Sequence, residues 1–489
     1  MAIDQYDSPR LSASPVEGLR ADIRRVIARP FLPSSQTRLD SGLVRRVCEL
    51  SDDDVNRSLT RVIERFDDRH LDLDSVLVEN FAFVAHGSHE LDWLSLARRK
   101  LLGAYYTEEY ALESAALTNP SIVAAVDQSG LGEGEVRVVL SVRSIGEGHL
   151  SAIQFRSAIV DADGEVFVEP PSRFAVTGHY EPPLFDKEAF REKLEDMNIV
   201  DEIASLVIEG LPRRFELAHL SEAIEAIEGT SAPAMLSCPA TKAMHWLATS
   251  NYTLSFPTST DLSERVIFPF SPIESHGLED ARFVRFVEEG EPVRYYATYT
   301  AFDGFRVLPQ LIETSDFLTF HVSTLSGGCA ANKGAALFPR KVGGQYVALS
   351  RFDGENNYVM TSTNPRVWET AHKIEAPLEP WALARVGNCG SPLETAAGWL
   401  VITHGVGPVR EYSIGAMLLD LDDPLRVIGH LQEPLITPPD DGRDGYVPNV
   451  VYSCGSLIVG QNLVVPYGVA DTSVRFERFR LDDVLDRLT

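Results

Sequence analysis

The amino-acid sequence predicts a mainly β protein of the β-propeller type. From Asn251 onward, short apolar runs rich in β-branched and aromatic residues alternate with turn residues. Similar strands recur at intervals of about fifty to sixty residues, a spacing typical of propeller blades rather than of a sandwich. They lie around residues 282–287, 335–338, 399–403 and 463–467.

Helical patterns occupy two other parts of the chain. Ser51 precedes three aspartates, an acidic start that favours a helix N-terminus, and apolar residues then recur at helical spacing. Residues 1–115 are therefore predicted to form an N-terminal helical extension. A second helical pattern, over about 186–230, is predicted to be an insertion in a β domain that covers 116–489.

Composition and charge exclude several classes of partner. The chain has 489 residues, is 44% hydrophobic and carries a net charge of -27, which argues against binding to nucleic acid or to an anionic membrane. Its start is polar, and no apolar run approaches the roughly 18 residues of a membrane helix. We therefore expect a soluble, cytoplasmic protein, and the sequence leaves homo-oligomer formation open.

No metal site is predicted. The five cysteines are scattered, without the spacing of a zinc site or a disulfide framework, and are interpreted as buried thiols. His86 and His89 stand three residues apart but lack a third ligand.

The most informative short motif joins two carboxylates to a strand. His276 and Gly277 form a turn, Glu279 and Asp280 follow, and an alternating apolar run begins. Because side chains alternate along a strand, only one carboxylate should face a given pocket. If it is Asp280, Arg282 lies on the same face and can control its charge. The alternative is a surface hairpin with solvated acids.

Several longer strings, in this order, resemble glycoside hydrolase family 130, the β-mannoside phosphorylases and related β-mannosidases. They are GLEDARF, NKGAALFPRKVGGQYVALSR, GWLVITHGV with EYSIGAMLLDLDDP, GYVPNVVYSCG and YGVADTSV. The resemblance covers about 119–471, apart from the helical insertion, and is greatest to longer members that act on β-1,2-linked mannooligosaccharides. It implies a five-bladed β-propeller.

The resemblance also implies a role for individual residues. Asp280 matches the proton donor, which in the phosphorylases is thought to act through a sugar hydroxyl. The positions that hold phosphate are matched by Lys333, Arg351 and His404, with Tyr412 as support. Sugar-contacting or pocket-lining positions are matched by Asn119, Arg143, Arg385 and Asp471, and Arg282 is placed beside them as a substrate-binding residue.

The implied chemistry explains these residue types. Phosphate is already an adequate nucleophile, so a phosphorylase needs one acid and a set of cations rather than a second carboxylate as base. Lys333, Arg351 and His404 come from three separate strand-and-turn units, which a propeller brings around one axis. We therefore expect three cations to converge there. Inorganic phosphate is a co-substrate, and no cofactor is implied.

The predicted function is inverting phosphorolysis of β-1,2-linked mannooligosaccharides to α-mannose 1-phosphate. A β-mannosidase of the same family is the first alternative, and it would need a second carboxylate about 6.5–9.5 Å from the acid. A non-catalytic glycan-binding propeller is the second, and a nucleotide-sugar-dependent mannosyltransferase is a remoter one. The family usually has Lys at Arg385 and Glu at Gly442, which leaves linkage and chain length open.

Overall fold

The computed structural model describes residues 18–31, 41–85, 91–181, 183–196, 199–228, 239–439 and 444–488. Within these ranges the protein is mainly β, as predicted, and neighbouring strands in the sheets run antiparallel. None of the helices in this part of the chain is long and apolar enough to cross a membrane.

The N-terminal part combines helices with short strands, so it is less uniformly helical than predicted. Its elements are β1 (Leu19–Arg20), β2 (Val26–Pro30), α1 (Ser41–Glu49), α2 (Asp52–Phe66), α3 (Leu73–Ala85), α4 (Leu96–Tyr105) and β3 (Thr107–Ala111). Ser51 caps α2 by accepting a hydrogen bond from the Asp54 amide at 3.2 Å. Strands β2 and β3 pair with each other. Local periodicity does not reveal β1, because it pairs with the far end of the chain, with Leu19 opposite Val474.

Long strands follow the helices. They are β4 (Ala116–Ala124), β5 (Val136–Ile145), β6 (Ser151–Val160) and β7 (Val166–Val168). Strands β6 and β7 are joined by a tight hairpin turn, in which Gly164 has a φ of +82° and its amide donates to the Asp161 carbonyl at 3.0 Å.

Helices occupy the predicted insertion, and one further helix, α8 (Pro239–Thr249), lies beyond its predicted end. It comprises β8 (His179–Glu181), β9 (Phe185–Asp186), α5 (Lys187–Asp196), α6 (Glu202–Gly210), β10 (Arg214–Phe215), α7 (Leu217–Glu228) and α8 (Pro239–Thr249). These helices share a hydrophobic core that includes Phe190, Val207, Phe215 and Met244. The proposed domain limits themselves stay a prediction.

Strands again dominate after α8. The remaining elements are β11 (Tyr252–Ser255), β12 (Val266–Ile267), β13 (Leu278–Phe286), β14 (Arg294–Phe302), β15 (Val307–Thr314), β16 (Thr319–Thr324), β17 (Ala336–Leu337), β18 (Tyr346–Ser350), β19 (Asn357–Ser362), β20 (Thr370–Glu375), β21 (Arg385–Asn388), β22 (Leu393–Thr395), β23 (Gly398–Val406), β24 (Tyr412–Leu419), β25 (Val427–His430), β26 (Val451–Tyr452), β27 (Leu457–Val459), β28 (Asn462–Val469), β29 (Ser473–Arg480) and α9 (Leu481–Asp486).

The strands of the described ranges form five sheets of four to six strands and two small pairs. In chain order of their main strands, the sheets are β12-β6-β5-β4 with β7; β13-β14-β15-β16-β11-β8; β17-β18-β19-β20; β21-β23-β24-β25 with β22; and β1-β29-β28-β26 with β27. We call these the first to fifth sheets. The fifth sheet therefore joins the start of the described chain to its end.

One cavity of about 600 Å³ is lined by segments from all five sheets. Each segment lies in or shortly after the first of the main strands of its sheet. Together the lining residues are 122–124, 283–285, 287, 289, 339–340, 391–394 and 455–457. Asn119 and Asp280 lie toward the opposite ends of β4 and β13. Strands β4 and β13 therefore extend from this cavity at one end to the region of Asn119 and Asp280 at the other.

A buried ion network fastens the N-terminal segment to the first sheet. The Oε1 atom of Glu113 lies 3.1 Å from Nε of Arg25 and 2.5 Å from Nη2 of Arg156. The backbone amide of Asp22 donates to the other carboxylate oxygen at 2.8 Å. The side chains of both arginines and the glutamate are at most 3% exposed. One carboxylate therefore balances two buried guanidinium groups.

We expect Glu113→Gln to lower the free energy of unfolding by about 3–5 kcal/mol, because it removes the one carboxylate that is paired with both Arg25 and Arg156 in the interior. The matched control is Glu108→Gln, which breaks a partly exposed pair with Arg29 and should cost at most about 1 kcal/mol. Denaturant unfolding of both variants measures the difference. Equal losses would contradict the assigned role of the buried network.

Candidate active site

Two strands are bulged where they carry predicted site residues. The pairing of β4 with β5 shifts register between Thr118 and Ser121, and that of β13 with β14 shifts between Glu279 and Arg282. Asn119 and Asp280 lie inside these shifts with φ values of +47° and +55°. A bulge adds a residue and re-aims the side chains around it.

The bulge at Asp280 overturns the prediction that the two carboxylates face opposite sides. Glu279 forms ion pairs with Arg143 and Lys333, and the same two cations act electrostatically on Asp280. The Glu279 and Asp280 side chains are similarly shielded, at 14% and 13% exposed. Strict alternation fails here because the left-handed residue breaks the strand geometry on which it depends.

Arg282 lies beside Asp280, as the spacing predicted. Its Nη2 is 3.7 Å from Oδ2 of Asp280, and its Nη1 donates to the Asp280 carbonyl at 2.8 Å. Nη2 also donates to the hydroxyl of Tyr452 at 2.8 Å. The guanidinium is thus fixed on both sides while 1% of its side chain is exposed.

Burial and the positive charges around Asp280 shift its pKa in opposite directions. Burial raises the pKa of Asp280, but nearby positive charges outweigh it and hold the pKa below its ordinary value. In order of effect they belong to Arg282, Lys333, Arg143 and Arg351. In the ligand-free protein the carboxyl group is therefore ionised near neutral pH.

Arg351 and His404 form a buried pair. Nη1 of Arg351 lies 3.0 Å from Nε2 of His404, and since a guanidinium can only donate, Nε2 must accept and the ring proton belongs on Nδ1. Burial and the charges of Arg351 and Arg282 hold the pKa of His404 well below its ordinary value. The prediction of three converging cations is therefore wrong for His404, which is neutral and orients Arg351. Lys333 and Arg351 remain as the cations of that set.

Aromatic side chains pack around His404. The Tyr412 ring is nearly parallel to it, with centroids 6.1 Å apart and an interplanar angle of 11°. The Tyr452 ring meets it edge-on at 4.8 Å. Through its hydroxyl bond to Arg282, Tyr452 connects the surroundings of Asp280 with those of Arg351 and His404.

The predicted sugar-contacting residues reach the same place from the first and fifth sheets. Asp471, with a φ of +49°, accepts a hydrogen bond from the Thr118 hydroxyl at 3.2 Å, next to Asn119. Burial raises the pKa of Asp471, while the nearby charge of Arg143 opposes this shift. The buried Oδ1 of Asn119 has no hydrogen-bond partner among the described residues.

Arg385 begins β21 opposite Val406, on the strand that also places Gly387 opposite His404. Its charge helps to lower the pKa of His404, so it belongs to the same neighbourhood. All ten residues singled out from the sequence thus lie in one connected region, to which strands or adjoining loops of all five sheets contribute.

Sequence reasoning missed two members of this region. Glu279 was set aside by the alternation rule, and Tyr452 was not singled out although it stands in the string GYVPNVVYSCG. The His86 and His89 pair and Gly442 lie outside the described residues. Among the residues that are described, no group of three or more His, Cys, Asp or Glu side chains could hold a metal ion.

The cysteines are only partly as predicted. Cys389 and Cys454 are buried free thiols, but Cys48 and Cys329 are only partly buried, and Cys238 lies outside the described residues.

Comparisons with known proteins identify the family of this chain. The profile of glycoside hydrolase family 130, described as beta-1,4-mannooligosaccharide phosphorylase, matches residues 257–489. A 1,2-beta-oligomannan phosphorylase from Thermoanaerobacter sp. (strain X514) is 34% identical over 218 residues, or 43% of this chain and 71% of that protein. A beta-1,2-mannobiose phosphorylase from Listeria innocua is 30% identical over 231 residues, or 45% of this chain and 63% of that protein. The chain belongs to glycoside hydrolase family 130.

Solved structures show a more distant likeness. Beta-1,2-mannobiose phosphorylase from Listeria innocua, in complex with beta-1,2-mannobiose, aligns with a TM-score of 0.45 and 22% identity, covering 78% of this chain and 93% of that chain. A putative glycoside hydrolase from Parabacteroides distasonis aligns with a TM-score of 0.47 and 15% identity, covering 77% and 90%.

The buried pair with Arg351 predicts that His404 stays neutral across the pH range in which histidine side chains ordinarily titrate, because burial and nearby positive charge hold its pKa well below the ordinary value. Nitrogen NMR of the imidazole should show an Nδ1-protonated ring that does not titrate in this range. The His404→Gln variant assigns the signal. A ring that gains a second proton near the ordinary histidine pKa would contradict the assignment.

Proposed function

We propose that this protein is an inverting phosphorylase that transfers the terminal mannosyl group of a β-1,2-linked mannooligosaccharide to inorganic phosphate. The products are α-mannose 1-phosphate and an oligosaccharide shortened by one unit. One observation carries the proposal: two cations, Lys333 and Arg351, converge near a largely shielded acid, Asp280, in a chain whose net charge is -27. The names of the two relatives support the mannoside and its linkage.

We also propose that the five sheets are the blades of a five-bladed propeller. Two features support this arrangement. All five sheets line one cavity, as blades around an axis would. In addition, β1 from the start of the described chain completes the sheet formed by its end, which is a way to close a ring of blades.

In this proposal Asp280 is the proton donor to the leaving sugar, in line with the role implied for the family, acting through a hydroxyl of the mannosyl group. Lys333 and Arg351 hold phosphate against the anomeric carbon on the opposite side, which gives inversion. Neutral His404, backed by Tyr412, sets the direction of the Arg351 fork. The mannosyl ring is contacted by Asn119, Arg143, Arg385 and Asp471.

The electrostatics suggest how the acid obtains its proton. Asp280 must be protonated to donate, yet neighbouring cations hold its pKa below the ordinary value in the ligand-free protein. Phosphate bound to Lys333 and Arg351 brings negative charge that offsets these cations. The effect of burial, which raises the pKa of Asp280, is then less strongly opposed. Phosphate binding therefore favours the protonated acid.

The hydrolytic alternative has one feature in its favour, since Glu279 is a second carboxylate close to Asp280. It is paired with two cations, however, and therefore is not available as a free base toward water. A cytoplasmic location and self-association stay predictions from the sequence.

The proposed function is tested by incubating the purified protein with β-1,2-mannobiose and longer β-1,2-mannooligosaccharides, with and without inorganic phosphate. We expect mannose 1-phosphate to form only when phosphate is present, because phosphate is the nucleophile. Both free mannose and mannose 1-phosphate are assayed. Release of mannose without phosphate would instead show a hydrolase, and no product under either condition would contradict catalysis on these substrates.

We expect Asp280→Asn to lower kcat by about 10²–10⁴-fold, the usual contribution of a positioned general acid. The amide keeps the size of the side chain but cannot supply the proton, so the melting temperature should stay close to that of the wild type. Initial rates and thermal unfolding measure the two effects. A variant with near wild-type turnover would contradict the acid assignment.

A further inference from the structure

Glu279 joins three sheets at the centre of the candidate site. It lies on β13 of the second sheet, and its Oε1 accepts a hydrogen bond from Nη2 of Arg143, on β5 of the first sheet, at 2.6 Å. Its Oε2 accepts from the ammonium of Lys333, in the segment that precedes the third sheet. One carboxylate thus holds both a proposed phosphate ligand and a proposed sugar ligand.

We propose that Glu279 is a positioning residue, which fixes the Lys333 ammonium and the Arg143 guanidinium where phosphate and the mannosyl ring meet. This inference rests on the proposed function and adds a residue to it. Glu279 touches neither the reacting atoms nor the leaving group in this role. It acts through the two cations.

The lysine needs such a partner. A lysine side chain has a flexible four-carbon stem and no preferred direction for its charge. The side chain of Lys333 is 31% exposed, and its backbone follows Asn332, which has a φ of +62°. Left alone, the ammonium group would sample solvent, and phosphate binding would have to order it. The bond to Glu279 orders it in advance.

Glu279 is itself well placed to act as an anchor. Its backbone pairs with Thr300 across the strands, immediately before the bulge at Asp280. The Nε atom of Arg143 is buried without a hydrogen-bond partner among the described residues, so the contact with Glu279 is a principal constraint on that guanidinium. A single anion also offsets the repulsion between the two cations.

A competing role makes the opposite prediction. If Glu279 were only a counter-ion occupying the cations, removing its charge would free them and tighten phosphate binding. If it positions them, removing its charge weakens phosphate binding. The direction of the change in phosphate KM therefore separates the two roles.

The test compares Glu279→Gln with the wild type in phosphate-dependent mannose 1-phosphate formation. A glutamine has one acceptor oxygen for two donors and turns its amide hydrogens toward the second donor, so at least one cation is released. We expect phosphate KM to rise about tenfold or more, as for loss of a hydrogen bond between charged groups. Glu279→Asp, which keeps the charge on a shorter stem, should fall between the two.

The matched control is Glu288→Gln, which breaks another partly exposed pair, the one between Glu288 and Lys341 at 2.7 Å. Its phosphate KM should equal that of the wild type. A double-mutant cycle adds a readout that a merely structural role would not change. In a Lys333→Ala background, Glu279→Gln should have little further effect on phosphate KM, because the group that it positions is absent.

An unchanged or lower phosphate KM in Glu279→Gln, or full additivity with Lys333→Ala, would overturn the inference while wild-type phosphorolysis stood. Calorimetric titration with inorganic phosphate provides a second measurement if the variant turns over too slowly, and weaker binding is expected. Wild-type protein that neither turns over mannoside with phosphate nor binds phosphate would overturn the proposed function and this inference together.

Discussion

The left-handed backbone at Asp280 is the constraint on which the candidate site depends. A non-glycine residue in this conformation costs about 1–3 kcal/mol, and it persists because the strands on either side of the bulge remain paired. The bulge brings Glu279 and Asp280 to one set of cations, where a regular strand would separate them. Asn119, also with positive φ at a register shift, shows that the first sheet carries the same kind of distortion.

The charge balance of the candidate site differs from that of the whole protein. The protein as a whole is strongly acidic, yet four cationic side chains act on one carboxyl group at this site. Glu279 offsets part of that charge, and His404 contributes none because it is neutral. The remaining positive charge suits an anion such as phosphate. Tyr452 contacts both parts of the site: its hydroxyl accepts a hydrogen bond from Arg282 beside Asp280, and its ring packs against His404.

The limits of sequence reasoning appear at particular residues. The alternation rule assigned Glu279 to the wrong side because one backbone dihedral angle at Asp280 departs from strand geometry. His404 was expected to be a cation because an isolated imidazole can be protonated, whereas its burial beside Arg351 prevents this. Strand β1 was not predicted, because a two-residue strand has no detectable periodicity and its partner, β29, lies at the other end of the chain.

The sequence by itself determined the mainly β character, the helical segments, the strongly negative net charge, and the family motifs with their candidate residues. These follow from local periodicity, composition and residue order. Only the tertiary structure decided which side chains meet, which of them are charged, and that Glu279 and Tyr452 belong to the site. Contacts, burial and charge state depend on residues far apart in the chain, and no local pattern records them.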